Sequence, residues 1–247
     1  TATSDGKLGN VTMETGTTLN AIGANRNIAL SGTLTLNGNA TVTLEASGND
    51  VPGLLAVAGG IAIANGATIK GSLYGNGTVV SVGSGKTISG TGTLTLTNNT
   101  ERTNSWAISA PIAGDLKVVK AGAVGVTLTG AGTYSGGTEL TGGTLTAKAS
   151  SIGPGNVTVA SGATLAISDS SATNKLAIHA SKTLAGAGTI TGNVSFADTA
   201  ILNASTVLTV NGTLTLPTVG TVAVTLPELQ PQRLISSNAT VRLLPMR

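Results

Sequence analysis

The 247-residue sequence predicts an all-β fold, a parallel β-helix (β-solenoid) of about twelve coils, on three observations. Threonine alternates with aliphatic residues, as in Thr33-Leu34-Thr35-Leu36, Thr93-Leu94-Thr95-Leu96 and Thr213-Leu214-Thr215-Leu216. A period of two buries one side of a strand and wets the other. Asn-Gly, Ser-Gly and Gly-Gly turns separate these runs, and no window carries the 3.6-residue period of a capped helix. Finally, a degenerate motif recurs: aliphatic-x-aliphatic-x-x-Gly-x-Thr-aliphatic.

In chain order its copies begin at Val11 (VTMETGTTL), Ile61 (IAIANGATI), Val80 (VSVGSGKTI), Val157 (VTVASGATL) and Leu176 (LAIHASKTL), the last with Ser181 in place of glycine. The copies at 61 and 80, and those at 157 and 176, lie 19 residues apart. A unit of that size, holding short strands and glycine turns, reads as one solenoid coil. Coils stacked at the ~4.8 Å inter-strand spacing put Val, Ile and Leu inside and Thr and Ser outside, with glycine and asparagine at positive-φ corners. Twelve such coils make a rod of about 55–60 Å. An antiparallel sandwich, the competing layout, predicts turns every 8–12 residues without a 19-residue phase.

The solenoid is expected over residues 1–216. Residues 98–115 (NNTERTNSWAISAPIAGD) break the texture with three charges, Trp106 and Pro111, and read as an irregular coil. Residues 217–247 differ again, with four prolines and Arg233, Arg242 and Arg247. That segment reads as a cap or docking strand, because an uncovered solenoid end is an open sheet edge. It is where copies of the chain would associate by strand addition.

Composition excludes several classes. Charged residues make up 9%, against roughly 25% in ordinary domains, while 40% hydrophobic content suffices for a core, which rules out a charged, disordered tail. Cysteine is absent, so disulfides, thiolate metal sites and cysteine nucleophiles are excluded. The pI of 9.4 rests on few charges of either sign, and Lys and Arg are scattered singly. With four aromatic residues in the chain there is no stacking platform, so nucleic acid is not a partner. The longest apolar run, Leu54 to Ala64, is about half the ~20 residues a membrane-spanning helix needs. A membrane barrel would carry aromatic girdles. The chain begins Thr1-Ala2-Thr3 without a leader, the expectation being a removed leader or an excerpt of a longer protein.

The stretch from Trp106 to Ile167 resembles the autotransporter-associated β-strand repeat of bacterial surface proteins. The resemblance rests on Lys120, Gly122, Leu128, Gly130, Thr133, Tyr134, Gly136, Gly137, Thr138, Gly143, Thr144 and Leu145. Val124-Gly125-Val126 stands where the family prefers Gly-Thr-Leu, and Gly132 replaces its asparagine. The resemblance implies a right-handed parallel β-helix passenger, exported through an outer membrane by a translocator barrel absent from this chain. It assigns no activity, since fold does not fix function.

Candidate chemistry is thin. Gly83-Ser84-Gly85-Lys86-Thr87 looks like the end of a phosphate-binding loop, but Val80 occupies the required first glycine and no helix follows. It reads as a turn. His179, the only histidine, falls on the outward side of its motif copy with no local nucleophile motif. A polysaccharide lyase or hydrolase needs paired carboxylates or an acidic Ca²⁺ cluster. The ten acidic residues are dispersed, with Glu101 over Asp115 and Asp50 over Asp169 as the stacks left open. Thr-x-Thr runs resemble the threonine ladders of ice-binding solenoids, which require the pair on one face in successive coils; here the runs occur at several phases, and threonine is a common surface strand former. Asn-x-Thr sequons, such as Asn39 and Asn98, follow from abundant Asn and Thr.

No catalytic, cofactor-binding or metal-binding residue is assigned. The expected function is a non-catalytic extracellular structural or adhesive surface protein of a bacterium, as stalk, adhesin or fibre-forming subunit. It is expected at the cell surface or outside the cell, meeting glycans, host or cell-surface proteins, or itself, and to have no membrane-spanning segment. The alternative is a polysaccharide-active β-helix enzyme.

Overall fold

Period-two alternation dictates strands with one greasy side, and three such strands per turn are enough to enclose a core. The computed structural model describes residues 8–22, 28–45, 54–72, 78–98, 105–217 and 223–225. Leu34–Asn37, Ala40–Glu45 and Leu55–Val57 make one coil; Ile61–Ala64, Ala67–Ser72 and Thr78–Val82 make the next. Each strand pairs in parallel with its equivalent one coil on: Leu34 with Ile61, Thr41 with Thr68, Leu55 with Val80. These three stacks are the first, second and third faces of a β-solenoid.

The first two faces share one 13-stranded sheet, because Ile88–Asn98 and Ile112–Lys120 run around the corner and serve both. The third face is a nine-stranded sheet. Towards the C-terminus Leu176–Ile178, Val194–Phe196 and Leu214–Thr215 form a separate three-stranded sheet. Each of these follows a third-face strand and precedes a second-face strand, so they occupy the first-face position.

Inside, the coils are dry. Leu34, Val42 and Leu55 of one coil are fully buried, as are Val118, Leu140, Leu145 and Leu165 further along. Each such side chain contributes about 1.5–3 kcal/mol on burial. Among the described residues only Lys120 is a buried charge. At the C-terminal end Val207 and Leu216 are the exposed large hydrophobic residues.

Among the described residues the coil count is lower than twelve. At most ten strands stack along one sheet path, a column of about 43 Å at ~4.8 Å per step. The shortfall has a physical origin: the motif marks a corner, not a coil. In all five copies the sixth residue has positive φ: Gly16 at 74°, Gly66 at 99°, Gly85 at 68°, Gly162 at 77° and Ser181 at 57°. Ser181, the one copy without glycine, donates its backbone N–H to Thr199 Oγ1 at 3.2 Å. The copies at Val11, Ile61 and Leu176 turn the chain from the first face to the second. The copy at Val80 turns it from the third to the first, and that at Val157 from the second to the third. Nineteen residues therefore separate two corners in both motif pairs, whereas Ile61 pairs with Ile88 and Val157 with Leu184, each 27 residues away. Elsewhere the circuit is tighter, with Thr138 on Val157 and Leu184 on Leu202.

Of the segment 98–115, residues 99–104 lie outside the described part; Trp106–Ile108 pairs residue for residue with Val126–Leu128 and shows a register shift against Thr78–Val82. Pro111 sits at a corner, where its carbonyl accepts the Ile88 N–H at 2.8 Å. Of residues 217–247, Ala223–Thr225 adds in parallel to Ile201–Ala204; residues 226–247 lie outside the described part. No helix among the described residues is long and apolar enough to cross a membrane.

Candidate functional site

Gly83 to Thr87 forms the tight corner between the third and first faces, with the Lys86 N–H donating to the Gly83 carbonyl at 3.0 Å. Lys86 is exposed and no helix follows, so the segment is a turn. Four of the described carboxylates have a local partner. Asp115 accepts from Ser135 Oγ at 2.7 Å, Asp169 from the Ala149 N–H at 2.7 Å and Asp198 from the Thr199 N–H at 2.8 Å. Glu139 pairs with Lys117 across adjacent coils. Among the described residues no three His, Asp or Glu side chains gather as a metal site. Glu101 and Asp50, one member of each proposed acidic stack, lie outside the described residues.

The residues that carry the resemblance do structural work. Lys120 points inward because it takes an inward position of its strand, between Leu96 and Leu140 in register. Its Nζ turns back at the corner and donates to the carbonyls of Ala121, Gly122 and Gly142 at 2.8, 2.8 and 3.2 Å. Burial holds its pKa at about 8. A lysine normally reads as surface, so this cage left no signal in the sequence. Tyr134 is also fully buried, its hydroxyl 2.8 Å from Thr138 Oγ1; burial pushes its pKa up, against the hydrogen bonds from Thr138 and the Gly153 backbone.

One break in the ladders opens a groove. After Ile112 the first face continues only as an isolated bridge to Gly132, then through the 3-10 turn Ala149–Ser151, before pairing resumes at Leu176. The resulting depression of about 450 Å³ is lined by Thr133, Ser150, Pro154, Asn174, Lys175 and His179, among others. Lys175 Nζ is held by Thr215 Oγ1 at 2.9 Å. His179 is exposed, on the outward side expected of it. The lining contains no carboxylate to orient the imidazole, so the groove offers hydrogen bonds and positive charge rather than a general-base pair.

The third face presents a different arrangement. Its outward positions Thr144, Thr164, Thr189 and Thr209 stand in register over four coils. Two residues along each strand a second column runs through Thr127, Thr146, Ala166, Thr191 and Asn211. Two Thr-x-Thr runs, 144/146 and 189/191, are thus brought to one phase in space, while Thr33/Thr35, Thr93/Thr95 and Thr213/Thr215 lie on other faces. The second face carries a similar column, Thr18, Thr41, Thr68 and Thr95, but exposed Lys70 interrupts the column beside it.

No protein family model, curated protein or solved structure matches this chain.

Proposed function

We propose that this chain is a non-catalytic structural or adhesive part of a bacterial surface protein, exported across an outer membrane and wound right-handed like the passengers it resembles. The observation that carries the reading is the state of the carboxylates. Asp115, Glu139, Asp169 and Asp198 are each engaged locally instead of converging on a groove. Stacked parallel ladders around a dry core give a stiff column, and its short neutral side chains support weak polyvalent contacts with glycans, surface proteins or further copies. Docking of copies falls to the C-terminal segment 217–247, next to which Val207 and Leu216 are exposed.

The test is electron microscopy of the purified chain together with an assay for cleavage of acidic and neutral polysaccharides. Rods or filaments without turnover are the expected result. Polysaccharide cleavage that disappears in His179→Ala would overturn the proposal in favour of a glycan-active enzyme.

A further inference from the structure

We propose that the groove beside Leu176–Ile178 binds a carboxylate-bearing sugar, a uronic acid unit of an acidic polysaccharide. Leu176–Ile178 is an edge strand, paired in parallel with Val194–Phe196 on one side only. The Leu176 N–H donates to the Asn193 carbonyl at 2.9 Å, and the Ile178 carbonyl accepts from the Ala197 N–H at 2.8 Å. Ala177, one residue out of phase, therefore turns its own N–H and carbonyl the other way, towards the groove it lines. Buried Leu176 and Ile178 set the same alternation for side chains, so Lys175, Ala177 and His179 form an outward row along that wall. Lys175 Nζ gives one hydrogen to Thr215 Oγ1 at 2.9 Å, which steadies the ammonium and leaves two donors free.

The opposite wall carries the Thr133 and Ser150 hydroxyls and the apolar Ile152 and Pro154. Hydroxyls beside a small apolar surface suit the mixed O–H and C–H faces of a pyranose. The volume of about 450 Å³ falls within the ~300–1,000 Å³ usual for small-ligand sites. With a lysine and no carboxylate in the lining, the charge that complements the groove is negative. An acidic peptide would have to add to the Leu176–Ile178 edge as a strand, which needs a clear ~4.8 Å step on each side. The turn Ala149–Ser151 packs directly against that edge instead. A nucleic acid needs several cations in line, and the lining holds one lysine. A uronate needs only one. Such binding deepens the adhesive reading proposed above, on which it rests; it is weak per site and gains strength when several chains share one polysaccharide.

The experiment titrates the isotope-labelled full chain, followed by NMR, with tetragalacturonate, its methyl ester, tetraglutamate and acetate. Saturable shifts of the Ala177 and His179 amides are expected with tetragalacturonate, and much weaker binding of the three others. Lys175→Gln should weaken binding roughly fivefold. Thr173→Glu puts a negative charge in the lining while keeping the bond from Lys175 to Thr215, and should weaken binding at least as much. It tests the site even if Lys175→Gln fails to fold, which circular dichroism reports. Lys70→Gln, an exposed lysine on the second face, should change nothing. No saturable shift, equal affinity for the ester, tetraglutamate or acetate, or an equal loss in Lys70→Gln overturns the proposal. Rods without turnover that bind no uronate overturn this site alone. Cleavage of tetragalacturonate overturns the non-catalytic reading and leaves the site standing.

Discussion

Ile88 lies directly over Ile61, one coil on, although the motif copy next after Ile61 begins at Val80. Val80 instead stacks on Leu55, a face away. The energetics of the molecule follow from what such corners and stacks demand of single residues, and four substitutions test them.

Lys120 sets a pH dependence. Its ammonium loses its proton at about 8 in the folded chain and near 10.5 when unfolded. Between those values the unfolded state binds more protons, so stability rises with pH across that window; below about 8 the cost of the buried charge is present in full. Lys120→Met leaves three carbonyls without their donor, about 1–3 kcal/mol. Urea midpoints at pH 7, 9 and 10.5 should show wild type gaining on the variant as pH rises. Parallel curves would contradict the buried ammonium.

Tyr134→Phe should cost about 1–2 kcal/mol, because buried Thr138 Oγ1 loses its partner. Unfolding is readable from Trp106, the only tryptophan and a core residue. In an ultraviolet titration of the wild type, one of the two tyrosines should ionise well above the ordinary value. Two tyrosines ionising together would place Tyr134 at the surface.

Glycines at corners are not equivalent. Gly90 has φ 145°, and a Cβ there would overlap the Ile63 carbonyl oxygen of the coil below. Gly90→Ala should therefore cost about 3 kcal/mol, at the upper range of single substitutions. Gly85 has φ 68° but open space around it, so Gly85→Ala should cost roughly 1 kcal/mol. Thermal melts of the two variants compare them directly, and equal losses would refute the close approach at Gly90.

Strand identity and the inward–outward sense of each side chain were legible in the sequence because period two is a local signal: Leu34 and Leu36 face in, Thr35 out. The coil count was not. A corner motif carries no information about how many residues lie between corners, and the circuits differ, from Leu184 to Leu202 at the short end to Thr78 to Ala107 at the long end. The same variation hid the alignment of Thr144, Thr164, Thr189 and Thr209. The groove beside His179 was equally invisible, since it arises where the first-face ladder breaks near Ala149–Ser151 and no residue type announces that break.

Because the motif bends the chain without completing a circuit, lengthening the molecule by tandem copies would also turn it. A second copy of residues 61–79 would advance the path by two of its three sides, and every downstream wall would then look out in a new direction. Only an insertion that returns to its starting side extends the column while keeping what each wall displays, so the heritable unit of growth is set by a closed circuit rather than by the most visible sequence echo.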